Sequence, residues 1–438
     1  MMSFLLGIIL GSFLLSLPIS SASGKPVPYV DALFTATTSV CVTGLVTLPT
    51  VTTWSIFGQI VMLILIQIGG LGIITIMSAI MIGMNRRLGL KNRVLIQDAF
   101  NLNSMSGIVI FLKRVIFGTF LVEIVGALLY MTVFIPQYGV RGIWISVFNS
   151  ISAFCNAGID IMSENSLCDY ATNPMVNLTT SLLIILGGIG YIVWWDVIRV
   201  TKGFRSQKLK CFNRLTLQSK IALAATGILL LAGAVLFFIF EYNNPLTIKN
   251  LSLFDKMQVA LFQSVTTRTA GFASVPQQDL TNASSVVSLM LMFIGGSPVG
   301  TAGGVKTVTF VVVMLAALTA IKNEEEVSLF SRRISKQAIS KAVAVITVSF
   351  MIMFISTVLL SAVTDAGILD IAYETVSATA TVGLTRNLTP NLNIWGKIII
   401  IITMYLGRVG PISLLIAFNI KKEKRNIITD PIEEISIG

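Results

Sequence analysis

The chain has 438 residues, of which 54% are hydrophobic and only 12% charged, and its formal net charge is +11. A soluble domain carries about 25% charged residues, so this composition indicates a polytopic helical membrane protein. The sequence contains no histidine, which excludes His-based catalysis, haem ligation and most zinc chemistry. Its four cysteines lack CxxC spacing and are interpreted as packing residues.

Apolar runs alternate with shorter half-polar segments along the chain. Predicted first helices cover residues 3–20, 115–135, 220–241 and 338–363, and predicted second helices cover 54–84, 176–200, 284–322 and 395–420. Between each first and second helix lies a half-polar segment of about ten residues, which is too short to cross a bilayer. The first run has no basic flank, so it is expected to be a transmembrane helix rather than a signal peptide.

Four half-polar segments end in glycine. In chain order they are ALFTATTSVCVTGL (32–45), SVFNSISAFCNAGI (146–159), ALFQSVTTRTAGF (260–272) and IAYETVSATATVGL (371–384). Their glycines are 114, 113 and 112 residues apart, namely Gly44, Gly158, Gly271 and Gly383. A second glycine landmark follows each one, at 67–72, 186–190, 294–304 and 405–410, and close helix packing explains it. The constant period predicts four parallel repeats.

The predicted fold is an all-α polytopic membrane protein with four helix–pore-loop–helix repeats in a pseudo-fourfold arrangement around one central pore. The repeats are assigned to residues 1–88, 110–205, 215–325 (with a broken second helix) and 336–425. Cytosolic linkers are assigned to 89–109, 206–214 and 326–335, and a C-terminal tail to 426–438.

Basic residues are concentrated between the repeats, as in NRRLGLKNR (85–93) and KKEKR (421–425). The positive-inside rule therefore places the linkers in the cytosol and the glycine loops toward the outside. Topology alone explains most of these basic runs, and the functional alternative is a docking surface for an anionic partner or lipid headgroups. Nucleic-acid binding has no other support in the sequence.

The glycine loops have a physical use inside a membrane. Backbone that leaves a helix there must be buried in protein or line a water-filled cavity. Four such loops around one axis offer main-chain carbonyls that replace the hydration shell of an ion. Thr381-Val382-Gly383 also matches the T-V-G core of the potassium-channel filter. The candidate filter residues are Thr43, Gly44, Ala157, Gly158, Ala270, Gly271, Val382 and Gly383.

The predicted second helix of repeat 3 is too long for one span. Its 39 residues (284–322) would extend about 58 Å, whereas the hydrocarbon core is about 30 Å thick. The stretch GGSPVGTAGGVK (295–306) contains six Gly or Pro residues, which break helices. We predict a helix–loop–helix with the loop under the filter, and a kinked helix is the alternative. The glycines concerned are Gly295, Gly296, Gly300, Gly303 and Gly304.

Several charged residues fall in or near the apolar spans. Arg408 lies about 13 residues from either end of its span and is expected to face the bundle interior, holding the loop at 295–306 through its carbonyls. A pair with the intramembrane carboxylate Glu123 is the alternative. Lys306 either anchors the loop at 295–306 or reaches the inner interface, and Arg268 is expected to brace the pore helices from behind. Three acidic residues either concentrate cations at the mouth or cap helices: Asp31, Asp160 and Glu374.

With these four loops, the interruption at 295–306 and the lone arginine of the last helix, the chain resembles the Trk/Ktr/HKT superfamily of potassium transporters over its whole length. The resemblance is closest to KtrB-type subunits, because the extra initial helix pair usual in Trk-type subunits is absent. It implies that K⁺ is coordinated by the backbone carbonyls of the four loop glycines and that the repeat 3 loop is an intramembrane gate. It also implies that glycine at position 44 favours potassium over sodium. Loop 2 departs from the family pattern, because Asn156 and Ala157 stand where the other loops carry threonine.

The same resemblance implies K⁺ uptake across the cell membrane by a homodimer with one pore per chain, regulated by a cytosolic nucleotide-binding ring of the KtrA type. It leaves a dependence on Na⁺ open. A secondary transporter of an organic solute is the alternative function, although such proteins usually show two inverted repeats rather than four parallel ones. An enzyme is not expected, because HExxH is absent and nothing supports a Ser–Lys hydrolase built on Lys306.

Overall fold

The computed structural model describes residues 2–72, 75, 76, 78, 81, 82, 107–202, 213–324 and 326–410. Most of the first two predicted linkers, the end of repeat 4 and the predicted tail lie outside this range. Regular structure in the described residues is helical apart from a short antiparallel pair of strands, β1 (Ser328–Leu329) and β2 (Arg332–Arg333), in the third linker. The fold class is therefore all-α, as predicted.

The helices fall into four consecutive groups. Repeat 1 contains α1 (Met2–Ser16), α2 (Tyr29–Cys41), α3 (Thr50–Thr53) and α4 (Ile56–Leu71). Repeat 2 contains α5 (Ile108–Tyr138), α6 (Arg141–Cys155), α7 (Pro174–Gly188) and α8 (Tyr191–Thr201). Repeat 3 contains α9 (Leu217–Glu241), α10 (Leu253–Thr266), α11 (Asn282–Phe293) and α12 (Thr307–Ile321). Repeat 4 contains α13 (Lys336–Ser361), α14 (Ile368–Ala380) and α15 (Ile394–Val409).

The four pore helices, α2, α6, α10 and α14, are 13 to 15 residues long, somewhat longer than the sequence suggested. Each carries one fully buried aromatic ring about ten residues before the loop glycine; the four are Phe34, Phe148, Phe262 and Tyr373. In each repeat, one further helical turn follows the loop glycine before the second helix begins. These turns are α3 and three 3₁₀ turns, Cys168–Tyr170, Gln277–Asp279 and Thr389–Asn391. The fourfold sequence repeat is thus also a repeat of packing.

The second helices begin at side-chain N-caps. A Ser, Asn or Thr oxygen accepts a hydrogen bond from an amide in the first turn of each, which satisfies one of the unpaired donors there. The caps are Ser55, Asn173, Thr281 and Asn393. Because these residues precede apolar runs, the predicted starts were within two residues of the observed ones.

The outer faces of the bundle are apolar. Phe117 of α5 is 69% exposed and Ile228 of α9 is 66% exposed, whereas the ends of the pore helices that lead into the loop glycines are buried. An exposed apolar surface of this extent indicates contact with lipid. In the described residues, α9 and α13 are each long and apolar enough to cross a membrane, and the bent pair α7–α8 is a third span if counted as one.

The prediction of one continuous second helix in repeat 2, over 176–200, is wrong. Helix α7 ends at Gly188, α8 begins at Tyr191, and the two are bent by 97°. Gly190 has φ +90°, which no residue in a right-handed helix adopts. A Cβ atom at this position would also overlap the carbonyl oxygen of Pro298, so only glycine fits.

The same glycine conformation ends the second helices of repeats 1 and 4. Gly72 has φ 84° and ψ 135°, Gly190 has 90° and 137°, and Gly410 has 83° and 145°. The second glycine landmark therefore does more than permit close packing. It stops each of these helices at the same point, and in repeat 3 the corresponding stretch unwinds altogether.

Candidate functional site

The four loop glycines form a closed ring. A Cβ atom added to any of them would collide with the carbonyl oxygen of the residue preceding the next loop glycine. The pairs are Gly44 with Ala157, Gly158 with Ala270, Gly271 with Val382, and Gly383 with Thr43. The last pair returns to the first loop, so the loops surround one axis in chain order. All eight candidate filter residues are in this ring, called the carbonyl ring below.

The backbone of each loop is held in an uncommon conformation. The loop glycines have φ values of 65° to 101°, and the residue two positions before each glycine is also left-handed. Those residues are Val42, Asn156, Thr269 and Thr381, with φ of 50° to 66°. Left-handed φ at a β-branched residue is strained and persists only where the surroundings impose it. Three of the four residues are β-branched, and strain in three equivalent places marks a functional site.

Pore-helix hydroxyls supply part of this constraint. Thr38 Oγ1 accepts a hydrogen bond of 2.9 Å from the amide of Gly44, and Ser377 Oγ accepts one of 3.0 Å from the amide of Gly383. In the other two loops the hydroxyl instead donates to the carbonyl after the glycine, from Ser152 at 2.5 Å and from Thr266 at 2.6 Å. The ring is therefore pseudo-fourfold in shape, but its supporting contacts divide the loops into two adjacent pairs, those of repeats 4 and 1 and those of repeats 2 and 3.

The carbonyl oxygens of the ring are left free. Within the described ranges, no hydrogen bond is donated to the carbonyls of the four glycines or of the four residues preceding them. Buried carbonyls are normally paired, so these eight need another partner. A dehydrated cation satisfies several carbonyl oxygens at once.

A vestibule of about 250 Å³ lies on one side of the ring and is lined by all four loop glycines. Two carboxylate residues, Asp160 and Glu164, also line it. Burial raises the pKa of Asp160 to about 6, although hydrogen bonds from Ser166 and from the backbone of Met162 oppose this shift. The vestibule thus brings a titratable negative charge close to the ring.

Asp31 and Glu374 were predicted, like Asp160, either to concentrate cations at the mouth or to cap helices. These two residues do not line this vestibule. Asp31 pairs with Lys397 Nζ at 2.5 Å. Glu374 is fully buried and accepts hydrogen bonds from the hydroxyls of Thr385 and Thr389 just beyond the loop glycine of repeat 4. Both carboxylates hold neighbouring elements in place.

In repeat 3, α11 ends at Phe293 and α12 begins at Thr307, and residues 294–306 between them form the intramembrane loop. Its neck is closed by hydrogen bonds from Gly295 N to Val305 O (2.9 Å) and from Val305 N to Phe293 O (3.2 Å). A Cβ atom on Gly303 would overlap Thr381 Oγ1, so the loop lies directly against the filter loop of repeat 4.

The intramembrane loop is also docked in the break of repeat 2. The amide of Ser297 donates to Gly188 O at 2.8 Å, that of Thr301 to Gly187 O at 3.1 Å, and that of Tyr191 to Val299 O at 3.0 Å. These bonds replace the helical ones that both segments lack. One signal for this contact is present in the sequence: the LGGIG landmark (186–190) resembles the glycine-rich stretch of the loop itself.

Arg408 contacts the intramembrane loop. Its guanidinium donates to Thr301 O at 2.7 Å and to Gly69 O at 2.5 Å. The alternative pair with Glu123 is wrong, because that carboxylate accepts from Gln67 Nε2 at 3.0 and 3.2 Å. Lys306 Nζ donates to Ala302 O at 2.5 Å and so turns back onto its own loop.

The pore helices end at a ring of free carbonyls, beneath a vestibule and beside an intramembrane loop. This arrangement defines a cation-transport protein of the membrane. The chain belongs to the TrkH family of cation transport proteins, whose family model matches residues 8–429. Proteins of this family are multi-pass proteins of the cell membrane, and this chain is one of them.

Named relatives cover nearly the whole chain. The "Ktr system potassium uptake protein B" of Bacillus subtilis is 39% identical over 97% of this chain and 93% of its own length. The "Potassium/sodium uptake protein NtpJ" of Enterococcus hirae is 36% identical over 99% and 95%. The crystal structure of the potassium transporter TrkH from Vibrio parahaemolyticus aligns with a TM-score of 0.74 and 16% identity over 95% of this chain and 85% of that one, which confirms the fold.

Proposed function

We propose that this protein takes up potassium through a channel-like pore with an intramembrane gate. The observation that carries the proposal is the carbonyl ring, with eight unpaired main-chain oxygens from four loops. A ring of this kind compensates a cation for its lost water without adding a fixed charge that would bind it too tightly. The names of the relatives from Bacillus subtilis and Enterococcus hirae point to potassium as the ion.

In this proposal the carbonyls of Gly44, Gly158, Gly271 and Gly383 coordinate K⁺, and those of Thr43, Ala157, Ala270 and Val382 form the next layer. The intramembrane loop obstructs the path beyond the ring. Arg408 holds it closed through Thr301 O, and Lys306 holds its shape through Ala302 O. The positive charge of Arg408 adds an electrostatic barrier to cations near the closed loop.

The finer parts of the proposal concern coupling and assembly. The Enterococcus hirae relative is named for both potassium and sodium, which supports a role for Na⁺. The Bacillus subtilis relative is one component of a named system, which supports a cytosolic regulatory partner such as a KtrA-type ring. The basic stretches 85–93 and 421–425, outside the described residues, are the proposed docking surface, and a homodimer with one pore per chain is the proposed assembly.

A secondary transporter of an organic solute is the less favoured function. The loop glycines approach one another so closely that even one added methyl group on any of them would collide with a backbone oxygen. That spacing suits a bare ion and not an organic molecule. The four parallel repeats also lack the inverted symmetry usual in such transporters.

The test is growth of a potassium-uptake-deficient bacterium at low external potassium, with and without a co-expressed KtrA-type partner. The wild-type chain is expected to restore growth with the partner. Gly44→Ser is expected to pass more sodium relative to potassium, measured as ²²Na⁺ and ⁸⁶Rb⁺ uptake. Gly24→Ser is the matched control, because Gly24 also has positive φ but nothing within 4 Å. Failure of the wild type to restore growth with the partner present contradicts the proposed function.

A further inference from the structure

Arg268 connects a filter loop to the gate. It lies three residues before Gly271 in the filter loop of repeat 3 and is only 7% exposed. Its guanidinium donates to Gly295 O at 3.0 Å, with a longer contact of 3.5 Å to Thr226 O. The side chain therefore extends from the filter loop to the first glycine of the intramembrane loop.

Gly295 is the point at which the intramembrane loop closes on itself. Its amide donates to Val305 O at 2.9 Å, while Thr307 N donates to Gly296 O at 3.0 Å. A parallel backbone bridge joins Ile294 and Val305 on either side of the same neck. Because Arg268 binds the carbonyl of Gly295, it holds one side of this neck against the filter loop.

The other three repeats show why an arginine is needed here. At the position three residues before the loop glycine they carry small buried side chains, Cys41, Cys155 and Ala380. In those repeats a glycine of the second helix, Gly69, Gly187 or Gly407, packs directly against a backbone carbonyl in the last turn of the pore helix. In repeat 3 the second helix is unwound where the other repeats carry this glycine. Arg268 spans the resulting gap, which a direct glycine contact closes in the other three repeats.

Burial of the positive charge of Arg268 costs free energy. Within the described parts of the chain, no carboxylate lies within ion-pair distance of Arg268, and its Nε has no hydrogen-bond partner. Arg268 lines a small cavity of about 20 Å³ together with Thr226, whose hydroxyl is also unpaired. The carboxyl end of α10 offsets part of the cost through its dipole. A buried cation retained beside a cation pathway calls for a function that a neutral residue does not provide.

We propose that Arg268 is a positioning residue that couples the filter loop of repeat 3 to the neck of the intramembrane loop, so that the loop stays closed until the neck and filter loop move together. The inference rests on the proposed function, because it assumes that the intramembrane loop gates ion flow. Arg268 acts through Gly295 and does not touch the ion.

Two substitutions separate the hydrogen bond from the folding of the protein. Arg268→Gln removes the charged contact with Gly295 O, whereas Arg268→Lys retains a cationic donor for it. Arg141→Gln is the matched control, since Arg141 is an exposed arginine at the start of α6, remote in sequence from the neck. Each variant is purified as the full chain and compared with the wild type for yield and monodispersity, then placed in lipid nanodiscs and in liposomes.

The first measurement is hydrogen–deuterium exchange of peptides covering 293–307 in nanodiscs. Loss of one charge-assisted hydrogen bond is expected to raise exchange at Gly295, Val305 and Thr307 by about tenfold in Arg268→Gln, with Arg268→Lys and Arg141→Gln close to wild type. This readout does not depend on the identity of the transported ion. Unchanged exchange across the neck in monodisperse Arg268→Gln overturns the proposal.

The second measurement is ⁸⁶Rb⁺ flux into liposomes with and without the partner. Arg268→Gln is expected to raise the partner-independent flux by about tenfold, because a loosened neck leaves the loop open more often. A merely structural defect lowers flux, so an increase is specific to gating. A basal flux at or below that of wild type overturns the coupling. Absence of Rb⁺ flux in the wild type with its partner counts against the proposed function instead, and the exchange result then decides the coupling by itself.

Discussion

Arg408 donates a hydrogen bond of 2.7 Å to the carbonyl oxygen of Thr301, which lies in the intramembrane loop. The amide of the same Thr301 donates to Gly187 O, and its hydroxyl donates to Phe154 O in the last turn of the pore helix α6. One loop residue thus joins the last helix, the break of repeat 2 and the pore helix of that repeat. This arrangement explains how a loop without helical structure is kept in place inside the membrane.

The Arg408 contact sets how firmly the loop is held. Arg408→Gln is expected to raise basal ⁸⁶Rb⁺ uptake about tenfold in cells that lack the partner, because it removes charge-assisted hydrogen bonds worth about 1.5–3 kcal/mol each and a positive charge near the path. Arg408→Lys keeps the charge but loses one of the two contacts, so an intermediate uptake is expected. Equal uptake by all three proteins at equal expression contradicts this role for Arg408.

The carbonyl ring tolerates no side chain at its glycines. Gly158→Ala is expected to lower the ratio of Rb⁺ to Na⁺ flux by at least about tenfold, since its Cβ would lie 2.6 Å from Ala270 O and the ring must widen. Gly139→Ala has a comparable positive φ but no atom within 4 Å, so it controls for backbone strain. If both variants keep the wild-type ratio in liposomes, the glycine does not line the pathway.

Ion capture at the vestibule is expected to depend on pH through Asp160. Burial raises its pKa to about 6, so the carboxylate is charged above that pH and neutral below it. Acidification from pH 7.5 to 5 is expected to raise the K⁺ concentration for half-maximal uptake by about two- to fivefold, as the nearby charge is lost.

The variants for this test differ by one charge. Asp160→Asn is expected to show the acidic value at every pH and so to flatten the profile. Asp365→Asn removes a carboxylate from an exposed loop that does not line the vestibule, and its profile is expected to follow the wild type. A pH dependence that survives in Asp160→Asn would assign the titration to another group.

The ion pair between Asp31 and Lys397 joins the pore helix of repeat 1 to the second helix of repeat 4, 366 residues apart. It closes the ring of repeats. Lys397→Met leaves a buried carboxylate unpaired and is expected to destabilise the protein by about 1.5–3 kcal/mol, seen as a lower temperature of aggregation in detergent. The double variant Asp31→Asn with Lys397→Met is expected to recover part of the loss. A double variant less stable than Lys397→Met contradicts this explanation.

Much of the fold followed from the sequence because its signals are local and repeated. Equal spacing of Gly44, Gly158, Gly271 and Gly383 predicts a ring, and the density of glycine and proline between 295 and 306 predicts the interruption. The break at Gly190 was missed, since its conformation is fixed by a loop more than 100 residues away, through Pro298 and Val299. The partners of Asp31 and Arg268 were missed for the same reason, because nothing near these residues in the sequence specifies them.

The most direct test of the account is a structure of the full chain determined in Rb⁺, with anomalous differences measured at the rubidium edge. We expect a peak on the axis of the carbonyl ring, enclosed by Gly44, Gly158, Gly271 and Gly383, and a weaker or absent peak when Na⁺ replaces Rb⁺. A ring without a Rb⁺ peak, in crystals that show the ion elsewhere in the protein, would contradict the assignment of these four glycines as the cation site.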